Sequence, residues 1–292
     1  MRKKSIEFVL MNKFNEWVNS IKDENVQSLV RKNTIITGGA IASLFLDEKV
    51  NDFDLYFKNK LTAEAVAKYY VTLFLENNKC QNKIKVLTTE DRVQIRIQSA
   101  GMATPSGSGY QYFEQTERNE AANYLELAFM KAEQETEEEY QPVFLSQNAI
   151  TLSNQVQLII RFYGNAKTIH ENFDFDHCMN YWDSETGNLT TRKKSLESLL
   201  ARELVYGGSK YPICSVVRTR KFIKRGWTIN AGQYLKMMWQ IKDLNLEDYA
   251  VLEDQLIGVD TAYFSELLQV LKGKNLKDID STYLAQLIDK IF

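Results

Sequence analysis

One stretch, Thr34 to Phe57, constrains this chain more than any other. A short β-branched run (Thr34, Ile35, Ile36, Thr37) ends in Gly38-Gly39, an apolar helical turn follows, and a second strand opens with two carboxylates, Asp52 and Asp54. Side chains alternate across a strand, so Asp52 and Asp54 share one face while Phe53 and Leu55 take the other. The two acids can hold a divalent metal while the phenyl and leucine anchor the strand in a core. Paired glycines at a strand-to-helix junction let the backbone approach a ligand closely, and the helix N-terminus behind them favours a phosphate. Either half alone is common in unrelated chains. Joined, with twelve residues between Gly39 and Asp52, they specify phosphate and metal chemistry.

At these residues the chain resembles the polymerase-beta-type nucleotidyltransferase superfamily, whose signature is a Gly-Gly or Gly-Ser turn, a short helix and Asp-hydrophobic-Asp on a strand. The resemblance implies an α+β fold, with a nucleotidyltransferase-type mixed sheet flanked by helices. It implies Gly38 and Gly39 at the triphosphate of a nucleotide, Ser43 as a further phosphate contact, and Asp52 and Asp54 as ligands of Mg²⁺ or Mn²⁺. Two positions depart from the pattern. Thr37 stands where an apolar residue is common. Ala42-Ser43 replaces the Arg-Asp pair of CCA-adding enzymes and bacterial poly(A) polymerases, which argues against that subgroup.

The chain has 292 residues, 44% hydrophobic and 25% charged, the balance of a soluble globular protein of one large or two ordinary domains. Its net charge of −2 gives no global field to attract nucleic acid, so any such contact must be local. Cys80, Cys178 and Cys214 are widely spaced and read as reduced thiols. The basic start (Arg2, Lys3, Lys4) is followed by Asn12, Lys13, Asn15 and Glu16 rather than an apolar signal segment, and no run approaches a membrane span. A cytoplasmic protein with no membrane partner is expected, in the host or in a virion if viral.

Residues 5–32 read as two amphipathic helices and residues 61–77 as a third. Strands are expected at 84–87, 93–97, 143–145, 149–152 and 156–162, and a short helix around Ile169. Gly101–Gly109 reads as a loop, residues 119–133 as a helix, and the acids at 133–139 as a solvated helix end. In Phe173-Asp174-Phe175-Asp176-His177-Cys178 acids and aromatics alternate, which predicts a strand with both acids on one face. Superfamily members bring a third carboxylate from a later strand. Asp174 is therefore expected as the third catalytic and metal-binding acid, with Asp176 as the alternate.

From Lys193 helices dominate, giving an expected head over 1–190 and an all-α C-terminal domain over 191–292. Arg218, Arg220, Lys221, Lys224 and Arg225 concentrate positive charge, and helical spacing groups Lys221, Lys224 and Arg225. The run reads either as a contact for nucleotide phosphate (Lys221, Arg225) or an RNA acceptor, or as a solvated face balanced by Glu197 and Glu203. Tyr234, Leu235, Met238, Trp239 and Ile241 read as a core stripe, followed by helices around 263–271 and 283–291. Phe173–Trp227 is also loosely similar to phage and large-virus proteins carrying a nucleotidyltransferase head. His170, His177, Cys178 and Cys214 lack zinc-site spacing, and neither a nucleophile elbow nor a P-loop occurs.

The expected activity is thus metal-dependent transfer of a nucleoside monophosphate from a nucleoside triphosphate to an acceptor hydroxyl on RNA, protein or a small molecule. The alternative is a catalytically inactive descendant with a binding or virion-associated structural role.

Overall fold

The computed structural model describes residues 1–78, 84–90, 92–97, 101–103, 110–112, 140–246, 248, 251–252, 255, 282 and 286. The chain divides into two compact units, Met1–His170 with Cys178–Arg192, and Glu171–His177 with Lys193–Phe292. Among the described residues no helix is long and apolar enough to cross a membrane.

The first unit opens with α1 (Lys3–Ser20), which buries Ile6, Leu10, Phe14, Trp17 and Val18, one stripe at three- and four-residue spacing. Helix α2 (Glu24–Asn33) starts where the Asp23 carboxylate accepts the Asn25 and Val26 N–H groups, satisfying two donors that lack helical partners. It runs into β1 (Thr34–Thr37), whose four side chains are all buried. After the glycines come α3 (Gly39–Leu46), β2 (Phe53–Phe57) and α4 (Lys60–Asn78). Helix α4 turns Ala63, Val66, Ala67, Tyr70, Val71 and Phe74 into the core, and Trp17 Nε1–H donates to the Tyr70 hydroxyl at 2.8 Å. Burial pushes the Tyr70 phenol far above its ordinary value.

Strands β3 (Ile84–Thr88) and β4 (Val93–Ile97) form a separate antiparallel hairpin. They are followed by β5 (Gly101–Ala103), β6 (Tyr110–Tyr112), β7 (Pro142–Leu145), β8 (Ala149–Leu152), β9 (Val156–Tyr163), α5 (Ala166–His170), β10 (Tyr181–Asp183) and β11 (Leu189–Thr190). Among the described residues the main sheet has nine strands in the order β11-β10-β1-β2-β9-β8-β7-β5-β6. It is mixed: β2 runs parallel to β9, and the other pairs are antiparallel. Residues 101–103, within the expected loop, are strand; 104–109, the helix at 119–133, the acids at 133–139, Cys80, the helix around 263–271 and all of the helix around 283–291 except Gln286 lie outside the described residues.

In the second unit, α6 (Lys193–Ala201), β12 (Glu203–Leu204), α7 (Pro212–Lys224), β13 (Thr228–Ile229) and α8 (Ala231–Ile241) follow one another. Among the described residues from Lys193 onward the elements are helices apart from β12 and β13, a two-residue parallel pair. The expected strand over Phe173–Cys178 does not form. Phe175 makes a single antiparallel bridge with Tyr206, and Asp176–Cys178 winds into a 3₁₀ turn. Phe175 and His177 are drawn into an aromatic cluster, with His177 against Trp227 and Phe222 at 4.3 and 4.7 Å between centroids.

The stripe expected to be core on α8 faces outward: Leu235, Met238 and Trp239 are 59%, 60% and 70% exposed, and Met237 is fully buried. Polar anchors decide this orientation. Gln233 accepts the Tyr206 N–H, Lys236 donates to the Tyr206 carbonyl and Gln240 accepts the Tyr206 hydroxyl. These residues and the buried Met237 share the side of α8 that meets Tyr206, with Lys236 and Gln240 still exposed.

A glycine turn against a carboxylate strand

The candidate site sits where β1 ends. Gly38 has φ 100° and ψ −150°, a conformation that side chains bearing a Cβ avoid. Its N–H donates to the Cys178 carbonyl at 3.2 Å, so Gly38 serves the turn by its shape rather than as a spare donor. A Cβ at Gly38 would lie 3.0 Å from Asp54 Oδ2, so the carboxylate rests directly against the turn. Gly39 opens α3, where the first N–H groups have no partner within the helix, and a Cβ there would meet nothing within 4 Å. Ser43 lies in the middle of α3 and is buried.

The acid pair follows from pairing on both sides of β2. Ile36 lies opposite Leu55 on β1, and Asp54 lies opposite Gln157 on β9. Phe53, Leu55 and Phe57 are buried, Asp54 is half-buried, and Asp52 is exposed one residue before the strand. Carboxylate oxygens of this kind suit a hard divalent cation. Among the described residues no group of three His, Cys, Asp or Glu stands ready as a metal cluster.

Behind the turn lies a buried polar group that the sequence reading passed over. Thr37 Oγ1 is 2.8 Å from His170 Nε2, 2.8 Å from the Asn180 carbonyl and 3.3 Å from the Cys178 carbonyl. Burial, helped by the charge of Arg192, lowers the His170 pKa to about 3 and keeps the imidazole neutral. The available clue was Thr37 itself: a hydroxyl in place of an apolar side chain needs a partner once buried.

The other expected residues belong to the second unit. Asp174 is 7% exposed, and both its oxygens are engaged: Oδ2 takes Arg218 Nη1 at 2.7 Å, and Oδ1 accepts the Phe175 N–H at 3.1 Å. Asp176 is equally buried, and its N–H donates to the Val205 carbonyl. Burial lowers the His177 pKa to about 4, the Asp174 charge acting against the shift and Arg225 with it. Lys221 and Lys224 on α7, and Arg225 at its end, are exposed, as is Arg220; Arg218 is committed to Asp174.

A Gly-Gly turn feeding a short helix, with Asp54 on the antiparallel neighbour strand against the turn and Asp52 one residue before that strand, is the arrangement expected of a polymerase-beta-type nucleotidyltransferase head. The chain belongs to the Gabija anti-defense 2 family, whose model matches residues 9–202. A protein of Bacillus phage SPbetaL7 described as Gabija anti-defense 2 is 24% identical over 271 residues, covering 92% of this chain and 51% of the relative. The chain thus spans about half the length of the curated relative it matches. Similar solved structures include the Thermotoga maritima CCA-adding enzyme complexed with tRNA, at 11% identity and a TM-score of 0.40, covering 88% of this chain and 53% of that one. Another is the Bacillus stearothermophilus CCA-adding enzyme in complex with CTP, at 10% identity and a TM-score of 0.43, covering 86% and 48%.

Proposed function

We propose that this chain is a metal-dependent nucleotidyltransferase, and that it moves a nucleoside monophosphate from a nucleoside triphosphate to an acceptor hydroxyl in the service of countering the Gabija defence named in its family's description. The observation that supports the reading is the close approach of the Asp54 carboxylate to the Gly38 turn, which sets an acid that could take a cation beside the N-terminus of α3, where phosphate would be held. Asp52 and Asp54 would hold Mg²⁺ or Mn²⁺, which when bound supplies charge neutralisation for the triphosphate and the leaving pyrophosphate. Gly39 and the N-terminus of α3 orient the phosphates, the step on which phosphoryl transfer chiefly depends. The exposed cations at 220–225 would contact nucleotide phosphate or an RNA acceptor. Asp174, with Arg218 and the Phe175 N–H on its oxygens, supports a role in fixing Arg218 more than in holding metal.

The test is to incubate the protein with each labelled nucleoside triphosphate, Mg²⁺ or Mn²⁺, cell RNA and cell protein, and to follow which fraction gains label. Asp52→Asn and Asp54→Asn should each abolish transfer, by about 10³-fold or more, with the fold intact. Full transfer by both variants removes the reading. Absence of metal-dependent nucleotide binding by the native chain would favour an inactive descendant instead.

A further inference from the structure

We propose that His170 is a positioning residue whose Nε2–H, donated to the Thr37 hydroxyl, latches the Thr37–Gly38 turn in its positive-φ shape; the functional half of this proposal rests on the nucleotidyltransferase reading. Thr37 and Asn180 are completely buried and His170 is 4% exposed, so the Thr37 hydroxyl must find its partners within the protein; among the described residues His170 Nδ1, on the far side of the ring, makes no hydrogen bond, which an acceptor nitrogen tolerates better than an N–H donor. The Thr37 hydroxyl has one proton to give. Carbonyls only accept, so that proton goes to the Asn180 carbonyl at 2.8 Å, and the nitrogen at 2.8 Å on the other side must itself carry a hydrogen. This assigns the Nε2–H tautomer to His170.

The arrangement has a purpose that ordinary satisfaction of a buried hydroxyl would not require. Glycine populates φ of either sign and has no side chain by which neighbours can hold it, so the conformation of Gly38 must be imposed from outside. Two grips do so. The Gly38 N–H is tied to the Cys178 carbonyl, and the preceding residue is tied through its hydroxyl to His170 and Asn180. Asn180 is steadied in turn, its side-chain oxygen accepting the Arg192 N–H at 2.9 Å. A neutral imidazole held in one tautomer by its bond to Thr37 suits the task, since it keeps the direction of that bond fixed.

The test combines imidazole nitrogen NMR with amide exchange and nucleotide kinetics on the full chain. The sequence holds two histidines, so loss of one signal set in His170→Gln assigns the other. At about neutral pH, His170 should be uncharged and protonated on Nε2; protonation on Nδ1 overturns the proposal. Thr37→Val, which keeps the shape and removes the hydroxyl, should speed exchange of the Gly38 amide on the order of fivefold to a hundredfold, and Thr37→Ser should restore it. Native-like exchange in Thr37→Val also overturns the proposal. If Thr37→Val fails to fold, His170→Phe carries the same expectation. For function, Thr37→Val should raise the KM for the Mg²⁺–nucleotide complex with kcat little changed. A native chain that binds no nucleoside triphosphate defeats the nucleotidyltransferase reading, while tautomer and exchange still judge the latch. If the native chain binds and Thr37→Val binds equally well, the latch does not position the turn and the proposal fails.

Discussion

The two adjacent glycines offer a comparison in which the same substitution has opposite effects. Gly38→Ala must place a Cβ on a backbone at φ 100° and ψ −150°, which costs about 1–3 kcal/mol in strain. That Cβ also arrives 3.0 Å from Asp54 Oδ2, so the carboxylate must give way or the turn must flatten. At roughly 2–4 °C per kcal/mol for a unit of this size, the melting temperature should fall by about 2–12 °C. Gly39→Ala meets nothing within 4 Å and sits in a helix, where replacing glycine gains up to about 1 kcal/mol. The assay is a thermal melt of both variants and the native chain, with and without Mg²⁺ and a nucleoside triphosphate. Gly38→Ala should lose stability and nucleotide-dependent stabilisation together. Gly39→Ala should keep or gain stability, and it should lose the nucleotide effect if the backbone approaches the phosphates at that residue. A Gly38→Ala protein that melts like the native chain would refute the argument from φ and from the Asp54 contact.

Three further expectations concern the acid–arginine pair, the basic face and the histidines. Asp174→Ala, which removes the carboxylate that pairs with Arg218 at 2.7 Å, should destabilise the second unit by about 1–3 kcal/mol in denaturant titration, whereas Arg218→Met with Asp174→Leu should recover much of the loss. Failure of the double variant to recover would indicate a role for Asp174 beyond the pair. If the exposed cations track a phosphate backbone, replacing Lys221, Lys224 and Arg225 with Gln should flatten the salt dependence of RNA binding by about two to three units of slope; an unchanged slope removes that partner. His170 and His177, with pKa values lowered to about 3 and about 4, stay neutral in the folded chain while the unfolded chain takes up protons below its ordinary histidine value. Bound protons are then greater in the unfolded state, so stability falls as pH drops from about 6.5 towards 4, by up to about 1.4 kcal/mol per pH unit for each histidine. His170→Gln should reduce that slope in acid melts; an unchanged slope would mean that His170 protonates freely.

Much of the head was legible because its signals are local. The β-branched run before Gly38, the alternation through Phe53–Phe57 and the apolar strands around Val143, Ala149 and Val156 all appear where period two places them. The Phe173–Cys178 segment misled because alternation reports a pattern of polarity, not the presence of a neighbour to pair with; Tyr206 supplies one bridge and no more. On α8 the apolar periodicity pointed the wrong way: the side that meets Tyr206 carries Gln233, Lys236, Met237 and Gln240, and Leu235, Met238 and Trp239 lie exposed. The His170–Thr37 pair joins residues 133 positions apart, and no spacing rule reaches that far.

The path of the chain through β1 bears on how the protein is made. Strand β1 lies between β2 and β10, yet β10 is synthesised only after the chain has left the first unit for Glu171–His177 and returned at Cys178. While the ribosome has delivered residues up to His170, the Ile35–Thr37 edge has no Tyr181–Asp183 to pair with, and the Gly38 N–H has no Cys178 carbonyl to receive it. An unpaired edge of this kind invites association with other chains until it is covered. The glycine turn therefore belongs to the last part of the head to become ordered during translation. A fragment ending at His170 should aggregate during expression, whereas one ending at Arg192 carries every strand that β1 requires.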